Sequence, residues 1–219
     1  YVLLLFLIIG LLDNFFHSLT IHYPNLQIIE SHSSGNQYLC WSGKLYSIVF
    51  VLISVVLLRK IITLSEIAFT IRQNNKSIRF SLIFVLIFII LASTFGLLSG
   101  KTAFDSETLL FMAIMPGLNE EFIYRGLLLG LLNKIFKNKF RIFKTNFGWG
   151  AIITSMILGI LYGFQVGDNF QVHLDYFTIL ISGVYGFLFA LIRERSGSLV
   201  FPVIAHSAAD FFNYFFRMI

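Results

Sequence analysis

Asn119-Glu120-Glu121-Phe122-Ile123-Tyr124-Arg125-Gly126 sets two adjacent carboxylates and a guanidinium inside an apolar run from Leu109 to Leu132. The run is otherwise long enough to cross a bilayer, which takes about 20 apolar residues. A charge at mid-membrane depth costs at least ~2.5–3.5 kcal/mol on insertion scales, so an ionisable cluster there implies a functional site with partners. The spacing supplies one partner at once. Glu121 and Arg125 are i and i+4 on one helical face and can pair. Glu120 lies about 100° around the helix, and Tyr124 follows it on its own face. One carboxylate can be held ionised by arginine while the other faces a cavity. A buried ion pair that only locks helix packing is the plainer alternative, but packing needs one acid and the chain supplies two.

Composition sets the class. Hydrophobic residues make up 57% of the chain, charged residues 12%, and mean hydropathy is +0.83. A water-soluble domain of 219 residues could not hide that much apolar surface. The expected fold is therefore an all-α polytopic membrane protein. The net charge of +5 does not point to nucleic acid, because the basic residues fall in short loops between apolar runs. The single Cys40 excludes an intrachain disulfide and offers no thiolate metal site. The chain opens at Tyr1 already inside an apolar run, so residues are expected upstream.

Seven spans are expected, at about Tyr1–Phe16, Leu45–Leu64, Ser81–Leu98, Leu109–Leu132, Phe147–Phe164, Tyr176–Ile192 and Leu199–Phe216. Residues 1–106 form N-terminal transmembrane helices and residues 107–219 the motif-bearing core, within one membrane domain. His17, His22 and His32 lie in the first polar loop and are read as surface residues. Pro116-Gly117 precedes Glu120 by one turn, and proline removes a backbone bond there. A kink or partial unwinding beside the carboxylates is expected. Placing the second, fourth and sixth loops in the cytoplasm puts twelve of the sixteen Lys and Arg inside. Lys44, Lys101 and Arg217 are left outside with the C-terminus, and Arg125 in the membrane.

A second constellation, Ala205-His206-Ser207-Ala208-Ala209-Asp210, lies in the last span, with His206 and Asp210 on one helical face. Counted from the cytoplasmic ends of their helices, Glu120 lies about 20 Å deep and Asp210 about 18 Å at 1.5 Å per residue. His206 is one turn shallower. Two helices thus bring Glu120, Glu121, Arg125, His206 and Asp210 to similar depth, as convergent chemistry requires.

Glu120-Glu121-x-x-x-Arg125 followed about 85 residues later by His206-x-x-x-Asp210 resembles the CPBP (Abi) family. These are the CAAX-type prenyl endopeptidases and their bacterial relatives, including bacteriocin-processing and self-immunity proteins. Tyr124-Arg125-Gly126, Gly197-Ser198-Leu199 and Pro202 agree with it, and the resemblance covers roughly Leu109 to the C-terminus. It implies a CPBP-type helical core in a bacterial cytoplasmic membrane. It also implies metal-free, cofactor-free intramembrane proteolysis of a membrane-associated peptide or protein near the cytoplasmic side. The alternative is a weak or inactive relative acting as an immunity or partner-binding protein. A transporter or proton relay is disfavoured, since no inverted repeat or pair of broken helices is visible.

The family's middle motif is Phe-x-x-x-His, and by register Leu158 and Tyr162 stand in its place. Tyrosine can orient a water, but with a reference pKa near 10 it is a poor proton acceptor at neutral pH. His173 could substitute only if residues 165–175 fold back into the membrane. The roles the resemblance implies are Glu120 as general base and Glu121 ordered by Arg125, with His206 stabilising an oxyanion and Asp210 orienting it. Asp210 stands where the family usually has Asn. With one imidazole remaining, the cluster is a poor zinc set. Glu120, Glu121, Tyr162, His206 and Asp210 should converge on one polar cavity open toward the cytoplasm.

Overall fold

The computed structural model describes residues 11, 14–29, 39–166 and 171–219. Most of the first expected span, Asp13 and His32 lie outside the described residues. After a short helical segment over residues 14–22, the chain forms α1 (Trp41–Leu57), α2 (Ser77–Leu98) and α3 (Ser106–Glu120). A π-helical segment, Glu121–Leu128, continues α3 directly into α4 (Leu129–Ile135). There follow α5 (Trp149–Gly163), α6 (Tyr176–Ser196) and α7 (Val200–Met218). Two small antiparallel hairpins that the hydropathy pattern does not announce flank α5: β1 (Lys139–Ile142) with β2 (Thr145–Gly148), and β3 (Phe164–Val166) with β4 (Val172–Leu174). The fold is an all-α membrane protein with these hairpins at its ends.

Among the described residues, three helices are long and apolar enough to cross a membrane by length and composition: Trp41–Lys60, Ser77–Leu98 and Tyr176–Ser196. Trp149–Gly163 is apolar but shorter. The motif-bearing run is different in kind. Leu127, Leu128 and Leu129 are fully buried, as are Ile123 and Arg125, because α3, the π segment and α4 occupy the centre of the bundle. A helix buried all round carries apolar residues all round, which is how the sequence reads on both sides of the acids.

Pro116 does not break its helix, since helical structure runs without a gap from Ser106 to Ile135. The disturbance appears one turn later as the wider π segment that begins at Glu121. Such segments recur at functional sites because they rotate neighbouring side chains out of the α register.

The helix ends gather in two groups. At one end, the Asn74 N–H donates to Ser196 O at 2.8 Å and the Leu199 N–H to Ala68 O at 3.1 Å. Lys134 pairs there with Glu66 at 3.2 Å, and Arg195 donates to Lys144 O at 2.6 Å. The backbone N–H and hydroxyl of Thr63 hold the Glu66 carboxyl below its ordinary range. At the other end the Thr102 N–H donates to Arg217 O at 3.0 Å, and Trp41 Nε1 donates to Glu107 at 3.1 Å. Asp175 caps α6 by accepting from the Thr178 N–H and hydroxyl, contacts that hold its carboxyl below the usual range. The second span ends earlier than its hydropathy suggests. Ile62, Ile67 and Ala68 are buried in turns rather than helix, because this segment folds under the motif helix. A Cβ on Gly126 would meet the Phe69 ring at 2.7 Å, so glycine follows Arg125 to admit that ring.

Helices α5 and α6 pack through Gly159 and Gly163, a small-xxx-small pair of the kind that lets membrane helices touch backbone to backbone. A Cβ on Gly159 would lie 2.5 Å from Ile179 O, which cannot move without its helix. Gly159→Leu should therefore separate the pair, at a cost of about 1–3 kcal/mol for overpacking. Thermal unfolding in detergent should show a clear drop in midpoint. An unchanged midpoint would mean the two helices are not held at this distance.

Candidate active site

The two adjacent acids point to different neighbours. Glu121 is fully buried; its Oε1 lies 3.1 Å from Arg125 Nη1 and 2.9 Å from His206 Nδ1. With an ionised carboxylate as acceptor, the imidazole nitrogen is the donor. Arg125 donates from Nη2 to Gly186 O at 3.1 Å, and its own carbonyl accepts from Arg193 Nε at 3.1 Å. Phe189 lies between Arg125 and His206. Its ring stacks on His206 at 5.0 Å and 13°, and Arg125 Cζ sits 5.4 Å from its centroid. Glu121 is thus the acceptor of a network tying the π segment to α6 and α7.

Glu120 turns the other way. Tyr162 Oη donates to Glu120 Oε1 at 2.7 Å, and Lys44 Nζ lies 3.6 Å from the same oxygen. Among the described residues nothing hydrogen-bonds Glu120 Oε2, although that atom is buried. Asp210 Oδ2 lies 3.5 Å from His206 Nε2, so the histidine connects the two carboxylate groups. Glu120, Tyr162, His206 and Asp210 all line one cleft of about 350 Å³. That volume falls within the ~300–1,000 Å³ of ligand pockets. Glu121 and Arg125 stand behind it.

Spacing along the chain brings the six expected site residues into one neighbourhood, as the matching depths on three helices require. Three others carry no signal in the sequence. Lys44 belongs to the first turn of α1 and reads as the end of a loop. Arg193 reads as a loop cation, yet it is buried against Glu194 and the Arg125 carbonyl. Phe189 is one phenylalanine among 26. His173 pairs in the β3–β4 hairpin opposite Gln165, exposed and off the cleft, so it does not replace an imidazole in the site. The cleft also opens away from the end expected. Its outer walls include Phe95, Phe177 and Arg217, which lie at the end opposite the basic loops. Among the described residues no group of three His, Cys, Asp or Glu is arranged to hold a metal ion.

Residues 81–212, well over half of the chain, match the family described as type II CAAX prenyl endopeptidase Rce1-like. The chain belongs to this family. Membership makes it, in general terms, a CAAX-type membrane protease, consistent with the apolar helices. The match begins in α2, further toward the N-terminus than the motifs themselves reach. No curated protein and no solved structure matches the chain.

The Arg125 guanidinium faces Glu121 and the Gly186 carbonyl and does not line the cleft. Arg125→Ala should destabilise the protein by about 3–5 kcal/mol, the usual result of leaving one partner of a buried ion pair uncompensated. Exposed Lys101→Ala should stay within about 0.5 kcal/mol, as surface changes do. The readout is thermal unfolding in detergent. Equal midpoints for the two variants would show the buried pair to be dispensable.

Proposed function

We propose that the chain is a glutamate-dependent intramembrane endopeptidase in which Glu120 is the general base. The observation supporting this most directly is the division of labour between the two acids. Glu121 is paired through Oε1 with Arg125 and His206 and stands behind the cleft, while Glu120 lines the cleft floor; Oε2 of each acid has no hydrogen-bond partner among the described residues. A water held at Oε2 gives its proton to Glu120 as its oxygen attacks the scissile carbonyl carbon. The proton then passes to the amide nitrogen as the carbon–nitrogen bond breaks, leaving a carboxylic acid and an amine. Negative charge on the tetrahedral oxygen develops beside His206, whose Nε2 can donate when the ring is doubly protonated. The substrate is a membrane-associated peptide or protein segment. The apolar walls fit an apolar stretch of chain, with or without an attached lipid.

One observation favours a second reading, a catalytically weak relative that binds a membrane partner. The Tyr162 hydroxyl occupies Glu120 Oε1 directly and cannot serve as a second base. The two readings separate in proteoliposomes given a quenched-fluorescent peptide with an apolar core. For a working base, Glu120→Gln should lower hydrolysis by about 10²–10⁴-fold while the fold survives, because the amide keeps shape but cannot accept the proton. Tyr162→His should raise the rate by freeing Oε1 for a water beside an imidazole. For a binding relative, the unaltered chain and Glu120→Gln should be equally silent, and only Tyr162→His should hydrolyse the peptide. A vigorous unaltered enzyme that Tyr162→His slows would make tyrosine a competent part of the site.

A further inference from the structure

We infer that the cleft of this protein faces the extracytoplasmic side, and that it takes an apolar peptide segment presented from that face. The inference rests on the endopeptidase reading for what happens to the segment, but on independent observations for where it enters. Of the twelve Lys and Arg assigned to the second, fourth and sixth loops, all but the buried Arg193 gather at one end of the bundle, where Asn74 meets Ser196, Arg195 meets Lys144 and Lys134 meets Glu66. Such an excess marks the cytoplasmic side, because basic loops resist translocation. The opposite end carries Lys101 and Arg217 together with Asp105, Glu107 and Asp175.

The cleft belongs to that second end. Its floor is Glu120, Leu158 and His206, and Glu120 stands midway along the helical run from Ser106 to Ile135. From the floor the walls run only one way. On α2 they pass from Ala92 to Phe95, near the Leu98 end. On α6 they climb through Tyr185 and Ile181 to Phe177, the second residue of that helix. On α7 they run from His206 through Asn213 to Arg217, next to its last residue. No described residue of the basic loops lines the cleft.

The reason is visible in the packing. Helices α2 and α6 close on each other at the level of the floor, where Phe88 seals against Phe189 at 4.5 Å and against Tyr185 at 5.3 Å. Above that seal the cleft occupies the space between them, and Phe95 and Phe177 are left 55% and 63% exposed. A peptide reaching Glu120 therefore passes apolar and aromatic walls from the mouth inward. The fitting substrate class is an exported peptide, or the outer juxtamembrane stretch of a membrane protein, rather than a tail in the cytoplasm.

The test uses the full chain in intact cells, on a Cys40→Ser background that removes its one thiol. Ser182→Cys, a near-isosteric change on the cleft wall, reports the cleft. Lys139→Cys reports the basic end. A charged, membrane-impermeant methanethiosulfonate should modify Ser182→Cys in intact cells and Lys139→Cys only after permeabilisation. The reverse pattern overturns the inference. An impermeant quenched-fluorescent peptide with an apolar core, added outside the same cells, should be cut by the unaltered chain and not by Glu120→Gln. Outside labelling of Ser182→Cys without such cutting upholds the orientation and counts against the endopeptidase reading, so the two fail separately.

Discussion

The Glu121 carboxylate between Arg125 and His206 is the contact on which the rest of the site depends. Removing a carboxylate and a guanidinium from water costs several kcal/mol per ion even after relaxation, and their attraction offsets this only when geometry and further hydrogen bonds are good. Two further bonds serve the pair: Gly186 O accepts from Arg125, and His206 donates to the same acid. Glu121 Oε2 and Arg125 Nε have no hydrogen-bond partner among the described residues. The contacts that are made come from α6 and α7, so they hold those helices against the motif helix, and the cleft is the space the helices leave on the far side of it.

The π segment explains how neighbouring residues serve opposite ends of this arrangement. In a regular α-helix Glu120 and Glu121 would differ by about 100°. Widening the helix at Glu121 changes that register where the second acid must turn from the cleft toward Arg125 and His206. Pro116 stands one turn upstream, where its missing N–H already weakens the ladder. Gly126 then lets Phe69 approach, so the altered turn is packed rather than left open. Proline, doubled acid, arginine and glycine form one local solution to a single problem. Two charges must be placed at membrane depth with different surroundings.

Much of this was legible because it is periodic. The i, i+4 pairs Glu121–Arg125 and His206–Asp210, and their equal depth on separate helices, already imply convergence. The parts that were not legible lack a period. Lys44 reaches Glu120 only because α1 begins earlier than its apolar run, at Trp41. The hairpins at residues 139–148 and 164–174 are too short for alternation to register against the surrounding hydropathy. The direction of the cleft depends on where α2 and α6 cease to touch, which the aromatic packing of Phe88 decides and no motif encodes. The first span and its Asp13 lie outside the described residues.

Tyr162 is where geometry bears hardest on chemistry. It lies near the C-terminal end of α5, on the wall facing Glu120, and its hydroxyl spans the gap to Oε1 in one step of 2.7 Å. An imidazole on the same backbone is shorter by the length of the phenol's outer carbon and hydroxyl. It would leave room for about one water between ring and carboxylate, hydrogen-bonded to both. The tyrosine hydroxyl thus occupies Oε1, which Lys44 also approaches, and Oε2 is the oxygen left without a hydrogen-bond partner among the described residues. A carboxylate held on one oxygen by a phenol and an ammonium retains a definite orientation for the other.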